Sequence, residues 1–113
     1  MLTQLTGVVP IAATTGAVGT QKGIGYSVAR TSAGLYTFTL DDQFYEVHGI
    51  LANLIQTSDS ALVIKGRIDY TTITTQNLGT FKLVILNGST PTDVSSDSEI
   101  HFMVNLKNTS VPR

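Results

Sequence analysis

The sequence predicts an all-β chain: an antiparallel β-sandwich or small barrel of about six or seven strands with an extended N-terminal arm. Three observations lead there. From Ile24 onward, apolar and polar residues alternate with period two, as half-buried strands require. The alternating runs are short and regularly spaced, with polar turns between them. No stretch of useful length repeats its apolar residues with the 3.6-residue period of a helix.

Residues 1–23 are predicted to form the arm, and 24–113 the sandwich domain. The arm is rich in Thr, Gly, Ala and Val, and residues 12–20 hold no large side chain except Val18. Such a stretch buries little and suits an extended segment, with a short strand at Val8–Ala12. The apolar residues Leu2, Leu5, Val8, Val9 and Ile11 must still leave water. Two destinations are open to them, the chain's own sheet edge or a partner protein. They are therefore candidate partner contacts. Deleting residues 1–20 is expected, on this reading, to leave a folded domain.

Next comes a hairpin. Tyr26, Val28 and Arg30 alternate with Ser27, Ala29 and Thr31; Thr31–Gly34 turns the chain; Tyr36, Phe38 and Leu40 then share one face. Asp41–Gln43 is expected to end it. Phe44 and Tyr45 stand in the following connection as candidate interface anchors, or as a pair that folds back to cap the sandwich. Glu46–Gln56 is the most apolar run. Both of its faces carry aliphatics, which predicts a strand covered on both sides. Gly49 and the β-branched Val47, Ile50 and Ile55 favour strand over the competing short helix.

Gln56–Ser60 is a turn. Ala61–Tyr70 places Leu62, Ile64, Ile68 and Tyr70 on one face, and Thr71–Thr75 favours β structure by its branching. Thr80–Leu86 is a strand with Phe81, Leu83 and Ile85 opposite Lys82, Val84 and Leu86. Asn87–Ser98 reads as a long polar loop. Glu99–Lys107 closes the domain with Ile100, Phe102, Val104 and Leu106 inward.

Composition narrows the function. The 113 residues suit one domain. Charged residues are only 13%, while there are 17 Thr and 9 Ser, so hydroxyls supply the polarity. A net charge of −1 argues against a nucleic-acid partner. Zero cysteines exclude disulfides and thiol chemistry. No apolar run approaches the roughly 18 residues of a membrane helix. Met1–Leu5 lacks the basic start of a secretory signal. No cofactor is expected.

Residues that could do chemistry are few. His48 and His101 both fall in strands, and neither has a Ser elbow or His-x-His partner beside it. Asp93, Ser95, Asp97 and Glu99 alternate and could ring a hard cation, but the EF-hand glycine is missing. Adjacent Asp41 and Asp42 point to opposite faces of a strand. Gly16–Gly23 lacks the Ser/Thr and the following helix of a phosphate loop. The expectation is no catalytic residue, no metal and no enzyme.

The segment Gly25-Tyr26-Ser27-Val28-Ala29-Arg30-Thr31-Ser32-Ala33-Gly34-Leu35-Tyr36-Thr37-Phe38-Thr39-Leu40-Asp41-Asp42 resembles one in small structural proteins of tailed bacteriophages. Those read as an Arg-Thr turn, then Gly-x-Tyr-Thr-x-Thr-Leu-Asp, then a strand. The ending Ser98–Ser110 is similar to their last strand, and so is the loop after Phe81–Leu86. The resemblance covers about residues 24–110. It implies a virion component, most simply a capsid decoration or cement protein on the capsid surface. The implied partners are the major capsid protein and sister copies in a homotrimer. A tail-fibre or baseplate module that binds a host surface or sister virion proteins is the alternative.

Overall fold

Among the described residues, alternation becomes eight antiparallel strands in two sheets. The computed structural model describes residues 2–44, 46–57, 60–67 and 78–107. The strands are β1 (Leu2–Ile11), β2 (Tyr26–Ser32), β3 (Leu35–Phe44), β4 (Glu46–Gln56), β5 (Leu62–Arg67), β6 (Leu78–Asn87), β7 (Thr90–Pro91) and β8 (Ser98–Lys107). One sheet has the order β1-β8-β4. The other has the order β2-β3-β6-β5, with the short β7 attached to β6.

The two sheets share one core. Phe102 projects from β8 and meets Tyr26 edge-on at 4.9 Å and Phe38 at 4.9 Å, while Phe38 stacks on Phe81 at 5.0 Å. Edge-on and offset contacts of this kind suit the ring quadrupoles. Around the rings lie Val9, Tyr36, Leu83, Ile85, Ile100, Val104 and Leu106, all buried. The inward residues expected on the last strand, Ile100, Phe102, Val104 and Leu106, are the ones found there.

The segment expected as an arm starts in this core. β1 pairs with β8 along ten residues, from Leu2 opposite Lys107 to Ile11 opposite Ser98. Val9 and Ile11 are buried. Of the two destinations open to the arm's apolar residues, its own sheet is the one seen. The reason is fit: Gly7 has no side chain, and a Cβ there would collide with Tyr26 and Phe102. The short strand expected at Val8–Ala12 is therefore a long one starting at Leu2.

Four further expectations need correction. β4 is covered on one side only. Ile50, Ala52 and Leu54 pack on the core, while Leu51 and Ile55 face outward and are 62% and 45% exposed. Among the described residues β4 has one strand neighbour, β8, which flanks it and leaves that outer face open. Asp41–Gln43 do not end β3, which runs to Phe44 and pairs there with Leu78. The loop at 87–98 contains β7. The turn of the first hairpin is tighter than Thr31–Gly34, because Thr31 and Ser32 are still in β2 and only Ala33 and Gly34 turn. Gly34 has φ +69°, and a Cβ there would press on the backbone of Ile85 and Thr92, so no other residue suits it. Ile68, Tyr70 and Thr71–Thr75 lie outside the described residues.

Candidate functional site

The outer face of the three-stranded sheet is built by the pairing registers. Residues opposite one another across β1, β8 and β4 form three rows: Thr6, Met103, Leu51; then Val8, His101, Asn53; then Pro10, Glu99, Ile55. The first and third rows carry apolar groups and the middle row carries the polar pair. Alternation alone produces this, since β8 must send Ile100, Phe102 and Val104 inward and so turns His101 and Met103 out. His101 Nε2 lies 3.0 Å from Glu99 Oε1 on the same strand. Such a face can pack against protein, with the middle row fixing its register.

A groove of about 580 Å³ opens at one end of this face. Its walls are Pro10, Ile11, Ala17 and Val18 on one side and Ile55, Gln56 and Thr57 on the other, with Asp97, Ser98 and Glu99 between. The segment after β1 folds back to make the first wall. Val8 and Lys22 exchange backbone hydrogen bonds of 3.0 and 2.8 Å, and the Gly19 N–H donates to Pro10 O at 2.8 Å. The Ala13 N–H donates to Asp97 at 2.8 Å and ties this segment to the start of β8.

Behind the groove, Asp93 holds three elements together. Arg30 donates to both of its carboxylate oxygens, at 3.2 and 2.6 Å, and the Gly34 N–H donates to it at 3.0 Å. A forked Arg–carboxylate pair is among the stronger polar contacts. The Arg30 bond and the Gly34 bond hold the Asp93 carboxyl below its ordinary pKa, against a smaller opposing effect of burial. Next to it the buried Tyr36 hydroxyl donates to Gly16 O at 2.8 Å. Burial pushes the Tyr36 phenol up to about 12.

The residues singled out by sequence separate into groups. Val9 and Ile11 are core, and Leu5 packs inward against the core. Of the arm's candidate contact residues, Val8 joins the outer face, between Thr6 and Pro10. Leu2 and Phe44 are described by backbone alone, at the two far ends of β1 and β3. Tyr45 lies outside the described residues. His101 sits opposite Asn53, five residues along β4 from His48. At ~3.4 Å per residue that is about 17 Å of strand, so the register does not bring the two histidines together. The alternating carboxylates also diverge: Asp93 goes to Arg30, Asp97 to Ala13 and Glu99 to His101. Among the described residues, no three metal-ligating groups cluster.

The last strand's alternation turns His101 and Met103 outward, as found, but sequence reasoning missed Leu51 and Ile55 as surface residues. The signal was present in β4, whose aliphatics fall on both faces. Reading it needed the sheet order, which alternation does not carry. No family model matches this chain, and no curated protein or solved structure matches it either.

Proposed function

We propose that this chain is a structural protein of a tailed-phage virion, a decoration or cement protein that binds and stabilises the capsid surface. The observation that carries the reading is the outer face of the three-stranded sheet. Leu51, Ile55 and Met103 project from it around the polar pair His101 and Asn53. A face of this kind is a packing surface for protein, and many weak copies on a lattice add by avidity. The virion context rests on the resemblance of residues 25–42 and 98–110 to phage structural proteins. The major capsid protein is the implied partner. The three-fold grouping of copies belongs to the capsid surface, where subunits meet.

Co-sedimentation with undecorated capsids of the phage that encodes the chain tests the reading. The chain should pellet with capsids, and Met103→Lys should reduce pelleting while the melting temperature holds. Absence of capsid binding by the folded wild-type chain would overturn it. Binding to host cells instead would favour the fibre or baseplate reading, for which the groove beside the face would be the contact.

A further inference from the structure

Among the described residues the two sheet orders end in four edge strands, β1, β4, β2 and β5, and they differ in how they are protected. The β1 edge is covered by the folded-back segment, which bridges Val8 to Lys22 and Ile11 to Val18. β2 carries Arg30 and an irregular register between Arg30 and Ser32. β5 has only six residues, and Lys65, Gly66 and Arg67 fill its second half. Covering, charge, bulges and shortness are the ordinary devices that stop an edge from pairing with another chain. Among the described residues, β4 has none of them over most of its length. It is an eleven-residue strand, and from Gly49 to Thr57 it has no charged residue and no proline. Its one register shift lies earlier, between Val47 and Gly49. Among the described residues its ladder is with β8 alone. β5 approaches from the inward side, where Gly66 lies near the Ile50 side chain, and forms no ladder with it.

The exposed side chains of β4 are also placed symmetrically. Leu51 and Ile55 stand two residues to either side of the exposed Asn53. We propose that β4 pairs antiparallel with β4 of a second copy, about a two-fold axis at Asn53. In that register Leu51 lies opposite Ile55 of the second copy and Ile55 opposite its Leu51. The two Asn53 amides face each other, and each offers both a donor and an acceptor. A two-fold contact needs such self-complementarity, and a shift by one residue would turn the aliphatic pairs to opposite faces. The two three-stranded sheets become one of six strands, with both outer faces on the same side. This contact stands on the edge itself and does not depend on the capsid reading.

The mass of the full chain in solution tests it, by light scattering across a concentration series. The expected mass is twice the 12.1 kDa of one chain. Asn53→Lys sets like charges opposite each other at the axis and should weaken the dimer at least about tenfold in dissociation constant, with the melting temperature of the dilute protein unchanged. Val63→Lys, on the β5 edge, should leave the dimer intact. Because the chain has no cysteine, Asn53→Cys gives a clean second readout: mild oxidation should link it to a dimer, and Val63→Cys should stay unlinked. A monomer at the highest concentration, a trimer, or a dimer untouched by Asn53→Lys and unlinked through Asn53→Cys would overturn the proposal.

Discussion

β4 and β6 look alike as sequence and end in opposite situations. Ile50–Ile55 and Phe81–Leu86 both carry aliphatics at consecutive positions, which is the pattern of a strand buried on two faces. In β6 the pattern holds. Leu83 and Ile85 are buried inward, and Val84 and Leu86 are buried on the other face, together with Leu35. In β4, Leu51 and Ile55 remain in water. The difference is position in the sheet. β6 lies between β3 and β5, whereas β4 ends its sheet. A central strand's side chains have neighbours on both flanks, as Val84 has Leu35 beside it; those of an edge strand have them on one flank, and Leu51 and Ile55 keep apolar surface in water.

The comparison can be broken most severely from the other edge of the same sheet. β1 is also an edge strand, but its Val9 and Ile11 are core residues. Deleting residues 1–11 should abolish cooperative thermal unfolding by circular dichroism, because it exposes one side of Phe102, Ile100 and Val104. That reverses the expectation that the chain folds without its first 20 residues. A sharp melt in the truncated chain would mean that β1 is dispensable, and that edge strands here contribute little whatever they bury.

The next effect is on β6 itself. Val84→Asp buries a carboxylate on the outward side of a strand where Val84 is only 2% exposed. It should cost at least about 4 kcal/mol in a denaturant titration. Phe102→Ala, at the ring cluster between the sheets, should cost about 3–5 kcal/mol. If Val84→Asp were tolerated, the outward side of β6 would be open like that of β4, and the contrast between the two strands would fail.

How much of this was legible follows the same division. Period-two alternation gave the class, the first hairpin and the inward set of β8, because a strand with one buried face encodes that face directly. It did not give the place of β1. Val8, Val9 and Ile11 do not alternate cleanly, Gly7 contributes no side chain, and the glycine-rich residues after them look like a linker. What seats β1 is a partner strand nearly a hundred residues away, and local pattern holds no trace of that. The outer face was illegible for the same reason: Leu51 and Met103 are neighbours only through the β4–β8 register. Asp93 was noticed as one of a row of oxygens, but its partners Arg30 and Gly34 come from the first hairpin.

Asp93 sharpens the comparison at smaller scale, since it ties the β2–β3 turn to the loop before β8 by polar contacts alone. Its carboxyl is held below the ordinary value. A depressed pKa stabilises the fold above the unfolded-state value, near 3.9, and that stability is lost as pH falls through the folded-state value. The melting temperature should therefore drop below about pH 4. Asp93→Asn should melt lower than the wild type at neutral pH and show less of that acid-side drop. An equal acid-side drop in both proteins would assign it to other carboxylates.

The smallest effect is the most telling one for β4. Leu51→Asp makes on β4 the change that Val84→Asp makes on β6, an outward aliphatic replaced by a carboxylate. With Leu51 62% exposed, the dilute monomer should change by no more than about 0.5 kcal/mol, as surface positions do. The same substitution should nevertheless weaken self-association, because the carboxylate would sit opposite Ile55 of the second copy. A stability loss comparable to Val84→Asp would mean that Leu51 is covered within its own chain. A variant with unchanged stability and weakened association would show that the apolar residues left over on an edge strand serve the assembly, not the fold.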